Sequence, residues 1–341
     1  MQVAFPPRRE VLVFGTGAVG AVLGWRLAQN PRVRVSVVCR SNYEAVRSNG
    51  ISLRTAKWGA GHFHPARVCR SPLDLRHIPF DYVVCANKAI NSGVYSSLSG
   101  LVRDKTVLVS AQNGVGVEAP LQRSFPENTV LSGIVYIACT QPSPGLFAQN
   151  TCINAHSLAL GLYGRSKSAS HDKQRESSLR DFTSLESSFG VSPDVVKEKW
   201  IKQIWNGAFN TMAALSGMDT HQIISSPRLL QLVRRIMTET YQVAVASGAV
   251  LDESIVEQML VMTKTSPPVV PSMLQDARAG KPMEVDSLCG DVSRLASIYG
   301  LKTPAIQAMY QSLTDRVDVS RVTVDPASMP APMATEQRVM A

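Results

Sequence analysis

Three polar residues recur at four-residue spacing in the segment KEKWIKQIWNGAFNTMAAL: Lys202, Asn206 and Asn210. On an α-helix they span only about 80° of the circumference, so they form one polar stripe. Ile201, Ile204, Trp205, Ala208, Phe209 and Met212 surround it, so the stripe is either a thin exposed edge or the lining of a polar cleft. A lysine in a cleft can serve as a general acid, because desolvation lowers its pKa toward neutrality. Two carboxamides beside it can hold a carboxylate or a hydroxyl in place. A second set of residues points to a partner for that acid. In VLVFGTGAVGAVL, Gly15, Gly17 and Gly20 follow an apolar strand-like run and open a helix-like one. This spacing asks for Gly15 at a tight turn, Gly17 where backbone approaches a pyrophosphate, and Gly20 where helix packs on strand. The loop backbone of Thr16, Ala18 and Val19 and the positive helix N-terminus would then face the phosphates.

The type of dinucleotide is read at the end of the second apolar run, Val33 to Val38, which leads into Cys39-Arg40-Ser41-Asn42. NAD readers usually place an acidic residue there to hold the ribose 2′-OH. Here the position carries Arg40, whose guanidinium can bind a 2′-phosphate through two charge-assisted hydrogen bonds. The expected cofactor is therefore NADPH; the plain alternative is a solvated arginine at a strand end.

The elements that must position these groups follow from periodicity. Asp81 to Ala86 (DYVVCA) and Thr106 to Ser110 (TVLVS) read as buried strands, each followed by polar residues, Asn87-Lys88 and Gln112-Asn113-Gly114. Strands alternating with helical segments predict an α/β fold with a parallel, doubly wound sheet of Rossmann type. Ligands in such sheets sit beyond the carboxyl ends of the strands, where Gly15, Arg40, Lys88 and Asn113 all fall. VLSGIVYIACT and SLALGLYG, with QPSPG between, are expected to be the last strands of that sheet. The polar stretch 165–178 is expected to be a loop before a helix near Leu179 to Phe189. Beyond Pro193 the pattern predicts an all-helical domain. Ser226-Pro227 would open a long helix to about Gly248, followed by helices from Asp252 to about Thr263, from about Glu284 to Tyr299, and one beginning at Pro304. The expected organisation is an N-terminal tail (1–8), a dinucleotide-binding domain (9–192), a helical substrate and catalytic domain (193–320) and a disordered tail (321–341).

With 341 residues the chain is long enough for two cores, and 45% hydrophobic residues suit a soluble globular protein. No apolar stretch reaches the roughly 20 residues needed to span a bilayer. MQVAFPPRRE has no hydrophobic centre for a signal peptide, so the cytoplasm is the expected compartment. Six dispersed cysteines without a CxxC pair are expected to be reduced thiols. His62 and His64 have no cysteine or carboxylate near them in sequence and read as strand-edge residues, so no metal is expected. A net charge of +9 suits an anionic cofactor and substrate. The scattered Lys and Arg, not interleaved with aromatics, speak against nucleic acid. The apolar helical domain could support a homodimer.

Taken in order, Gly15-x-Gly17-x-x-Gly20, Arg40, Lys88, Gln112-Asn113-Gly114, Lys202-x-x-x-Asn206-x-x-x-Asn210 and PSMLQDARAGKPMEVDSLCG (271–290) resemble the ketopantoate reductases, over about residues 10 to 315. The resemblance implies reduction of a 2-oxo acid, 2-dehydropantoate, to (R)-pantoate by hydride transfer from NADPH, in pantothenate synthesis. It implies Lys202 as general acid, Glu284 as the partner of the substrate hydroxyl, and Asn206, Asn210 and Ser272 as groups that orient substrate. Lys88, Asn113 and Glu284 would lie where cofactor and substrate meet. Singly, these residues have plainer roles: Ser272 with Gln275 is a capping box, Glu284 a first-turn acid, Asn113-Gly114 a turn. One departure is Cys289, where the family usually has asparagine; a lost carboxamide would weaken recognition of the substrate. That leaves two alternatives: a reductase of another branched 2-oxo acid such as 2-ketoisovalerate, and a non-catalytic NADPH-binding sensor.

Overall fold

A computed structural model describes residues 8–90 and 92–321; the two expected tails fall, but for Arg8 and Arg321, outside them. In chain order the first half runs β1 (Arg9–Phe14), α1 (Ala18–Ala28), β2 (Val33–Val38), α2 (Tyr43–Asn49), β3 (Ile51–Thr55), β4 (Gly59–Phe63), β5 (Arg67–Cys69), β6 (Tyr82–Cys85), β7 (Val107–Ser110) and α3 (Glu118–Ser124). It continues with β8 (Val130–Val135), β9 (Ile137–Ser143), β10 (Leu146–Cys152), β11 (Leu158–Leu162), α4 (Ala169–Ser184) and β12 (Phe189–Val191). Eight strands form one sheet in the order β12-β11-β8-β7-β6-β1-β2-β5. From β8 to β5 every pairing is parallel. The central strands are apolar without alternation because both faces are covered. Val11, Val13, Val84 and Val109 feed one apolar cluster, while Leu12, Val83, Cys85 and Leu108 feed another.

Two expectations for this half need correction. First, only β8 and β11 of the 130–164 stretch join the main sheet, and β11 runs antiparallel to β8. β9 and β10 leave to form a second sheet, β4-β3-β10-β9, whose strands are half exposed and could not serve inside a doubly covered one. Helix α1 packs against both sheets: Trp25 lies so close to Gly61 that an added Cβ would sit 2.3 Å from its ring. Second, the stretch read as a loop is the start of α4. Ser168 caps it by accepting from the His171 amide, and only Arg175, Leu179 and Phe182 are buried along it. A polar helix with so narrow an apolar seam resembles a loop in composition. Phe189 belongs to β12, not to a helix.

The second half is helical: α5 (Val195–Trp205), a π-helical turn (Asn206–Asn210), α6 (Thr211–Ser216), α7 (Thr220–Ser225), α8 (Pro227–Ala246), α9 (Ile255–Thr265), α10 (Ser272–Arg278), a second π-helical turn (Asp286–Gly290), α11 (Asp291–Ile298) and α12 (Pro304–Arg321). Pro227 sits at the first position of α8 and Gly300, at φ 68°, follows α11, as the capping residues require. This half has its own apolar cluster from Trp200 to Leu313, joined from the first half by Val115.

Candidate active site

The parallel strands end together where the two halves meet. At the end of β1 the chain turns through Gly15 at φ 100°, and a Cβ there would lie 2.4 Å from the Asn87 amide nitrogen. Gly20 is tighter still, its Cβ position being 2.1 Å from the Gly15 carbonyl oxygen. Gly15 is therefore demanded by its positive φ and by the backbone after β6, and Gly20 by the close packing of α1 on the loop. Gly17 differs: it caps α1 without a side-chain bond, and a Cβ there would meet nothing within 4 Å. The first-turn amides of α1, including those of Ala18, Val19 and Gly20, have no helical acceptor and face that open side. Thr16 holds the loop by donating its hydroxyl to Val38 O at 2.8 Å, and Asn42 Nδ2 donates to Thr16 O at 2.7 Å. Beside Gly15, the buried Asn87 Oδ1 has no hydrogen-bond partner among the described residues. An open glycine, a bare helix N-terminus and an orphaned buried acceptor are the features a dinucleotide would complete. Arg40, exposed past the end of β2, has no ion-pair partner among the described residues and stands free for a phosphate.

From the loop a chain of polar contacts crosses into the helical half. Lys202 Nζ donates to Val135 O at 2.6 Å and to Asn113 Oδ1 at 3.0 Å. Asn113 Nδ2 donates to Glu284 Oε2 at 3.3 Å, and Glu284 Oε1 accepts from the Ala89 amide at 3.2 Å. Burial, then the nearby Lys199 charge, lowers the Lys202 ammonium from 10.5 to about 8, with Glu284 opposing. Burial pushes the Glu284 carboxyl up, and the Ala89 and Asn113 donors pull it back. On the far side, Asn210 Oδ1 accepts from Ser272 Oγ and from the Met273 amide, both at 3.1 Å, and Asn210 Nδ2 donates to Asn206 Oδ1 at 3.0 Å. Lys202 and Asn206 thus line a small space between the two halves, with Asn210 buried behind them, and the stripe is not an exposed edge.

The plainer roles do not describe Ser272 and Glu284, whereas the chain does bend at Asn113-Gly114. Pro271, not Ser272, occupies the cap position of α10, and Gln275 donates to Val270 O. Glu284 reaches across to the other half instead of capping its own helix. Gly114, at φ 105°, brings backbone so near the second π-helical turn that a Cβ would sit 2.8 Å from Ser287 O. Lys88 pairs with Asp276 at 2.6 Å and donates to Pro282 O at 2.8 Å, tying the halves together near Glu284.

Residues 11–161 match the family model described as Ketopantoate reductase PanE/ApbA, and residues 194–316 match its C-terminal counterpart. The crystal structure of 2-dehydropantoate 2-reductase from Methylococcus capsulatus superposes with a TM-score of 0.76 at 32% identity, over 92% of this chain and 99% of that one. The chain belongs to the ketopantoate reductase family. Among curated relatives, the 2-dehydropantoate 2-reductase of Mesorhizobium japonicum is 28% identical over 92% of this chain and 98% of its own length. That of Nostoc sp. is 25% identical over 93% and 99%.

Within this ketopantoate reductase framework, Cys289 lies deeper than the cleft residues. Its side chain is wholly buried in the apolar cluster of the helical half, and burial pushes its thiol up to about 12. The side chain packs among the apolar residues of the helical half and is not among those lining the cavity beside Lys202. Three side chains were not singled out from sequence. Gln203 donates to Leu288 O at 2.8 Å and pins α5 to the second π-helical turn. Glu118 and Lys199 form a buried ion pair. The position of Lys199 three residues before Lys202 was the available signal for that pair; Gln203 had none. Among the described residues no metal-binding cluster of three or more groups occurs, and no helix is long and apolar enough to cross a membrane.

Proposed function

We propose that this chain reduces 2-dehydropantoate to (R)-pantoate with NADPH, residues 9–192 holding the cofactor and residues 193–320 supplying acid and substrate contacts. The observation that carries this reading is the continuous polar chain Lys202–Asn113–Glu284–Ala89, which joins the ends of β6, β7 and β8 to the helical half. NADPH supplies hydride. The open backbone at Gly17 and the first turn of α1 would hold its pyrophosphate, and Arg40 its 2′-phosphate. Lys202, fixed by Val135 O and Asn113, gives its proton to the carbonyl oxygen of the substrate as charge develops there. Its lowered proton affinity suits it to act as an acid near neutral pH. Glu284 accepts from the hydroxyl of the substrate, and Asn206, Asn210 and Ser272 form the wall that orients its other groups. The placement of Cys289 in the apolar cluster, with Glu284 at the junction of the halves, supports a substrate that carries the hydroxyl.

The test is oxidation of NADPH at 340 nm with 2-dehydropantoate and 2-ketoisovalerate side by side, and NADH as control. The expected result is preference for 2-dehydropantoate with NADPH, and loss of about 10² to 10⁴ in kcat for Lys202→Ala while NADPH still binds. Preference for 2-ketoisovalerate would move the protein to another substrate; no turnover of any 2-oxo acid would make it a cofactor-binding protein without catalysis.

A further inference from the structure

Behind Lys202 lies a second lysine that the reaction itself does not call for. Lys199 is on the same helix, one turn back, with its side chain 10% exposed and that of its partner Glu118 2% exposed. Glu118 comes from α3 and is held in turn by Ser132 of β8, whose hydroxyl donates to Glu118 Oε1 at 2.6 Å. Lys199 and Lys202 both line one small cavity of about 10 Å³, with Asn113, Gln203 and Asn206 on its other walls. That volume is near the room a single water needs, so the two lysines border the same small polar space. Burying an ion pair is costly, and an apolar pair of similar volume is often as stable. Stability alone therefore gives little reason for charges at this place.

We propose that Lys199, pinned by Glu118 and Ser132, is a positioning residue that sets how readily Lys202 releases its proton in the cleft. Two like charges on adjacent turns of one helix disfavour each other. Lys199 is held in place by its ion pair with Glu118. Lys202 has no carboxylate in an ion pair with it among the described residues, and it is the one whose pKa is lowered by burial and by Lys199. The other charged group acting on Lys202 is Glu284, which opposes release. On α8, which packs against α5, the buried Glu239 accepts from the Ala305 and Ile306 amides of α12 and is spent there. On α9, Glu257 is paired with Arg234. On α5 itself, Glu198 accepts from Tyr136 and Ser192.

This inference rests on Lys202 being the acid. The test is the pH profile of kcat for the NADPH-dependent reduction in four proteins: wild type, Lys202→Ala, Lys199→Arg, and the double variant Lys199→Met/Glu118→Gln, which removes the pair without stranding a buried charge. In wild type, kcat should fall as pH rises through about 8, where Lys202 loses its proton. In the double variant that limb should move to higher pH by roughly one unit, with kcat at pH 7 down about threefold and both KM values unchanged. Lys199→Arg keeps the charge and should leave the limb in place. A folded double variant whose limb stays at the wild-type position overturns the role of Lys199. Retained turnover in Lys202→Ala overturns the acid assignment instead, so the two failures are distinct.

Discussion

Replacing Gly17 and Gly20 by alanine, one at a time, separates two demands that the glycine loop makes on the same three-residue spacing. Gly17 has φ −79° and ψ −168°, an extended conformation open to any residue, and its Cβ would meet nothing within 4 Å. Stiffening the unfolded chain contributes about 0.4–1 kcal/mol in favour of alanine, and losing glycine at a helix cap costs about the same. Gly17→Ala should therefore melt within about 1 °C of wild type. The new methyl stands where a pyrophosphate must approach the first-turn amides, and lengthening those charge-assisted bonds should weaken NADPH binding about ten- to hundredfold. Gly20→Ala does the reverse. Its Cβ would sit 2.1 Å from Gly15 O, 3.1 Å from Val13 Cγ1 and 3.2 Å from Ala86 Cβ, and a backbone oxygen cannot rotate away. Overpacking of this kind costs about 1–3 kcal/mol, or about 2–10 °C in a unit of this size. Thermal melts followed by circular dichroism, with NADPH fluorescence titrations on the same samples, measure both quantities. A Gly17→Ala protein that binds NADPH as wild type does, or melts as low as Gly20→Ala, would refute the division of labour.

Arg40→Ala should raise the KM for NADPH about ten- to hundredfold and leave that for NADH unchanged, since only the former offers a 2′-phosphate; initial rates with both cofactors decide it. Glu284→Gln should reduce turnover of 2-dehydropantoate much more than that of 2-ketoisovalerate, which lacks the hydroxyl; equal loss on both removes the role assigned to this glutamate. Cys289→Asn should destabilise the helical half by about 1–3 kcal/mol by burying an unpaired carboxamide, with KM unchanged. A melting temperature like wild type, with an altered KM, would return position 289 to the cleft.

Much of the site was legible because its signals are local. The spacing of Gly15, Gly17 and Gly20 encodes one turn and one helix start, and Lys202, Asn206 and Asn210 share a face by helical periodicity alone. Apolar runs such as VLVF, YVVC and VLVS announce strands covered on both sides. Local pattern misled where composition and structure part company. The segment 169–178 is polar enough to read as a loop, yet Arg175 lies buried beneath it, its guanidinium donating to Tyr163 O at 2.6 Å and Gly164 O at 2.8 Å. The strands β9 and β10 carry the same short β-like signal as β8, and nothing in that signal says which sheet a strand will join.

The sequence by itself determined the chemistry present: a phosphate-ready glycine loop, an arginine in place of an acidic residue, and a lysine with two carboxamides on one helix face. Only the tertiary structure decided how those groups are used, because their partners lie far along the chain. Ala89 and Glu284 are 195 positions apart and Lys202 and Asn113 are 89 apart; the bonds between them exist only once the two halves dock. Docking also decided that Lys88 ties the halves together through Asp276, that Cys289 faces the core, and that Lys199 lies buried against Glu118 beside the acid. Side-chain direction and burial depend on which elements pack together, and no residue type or spacing carries that information.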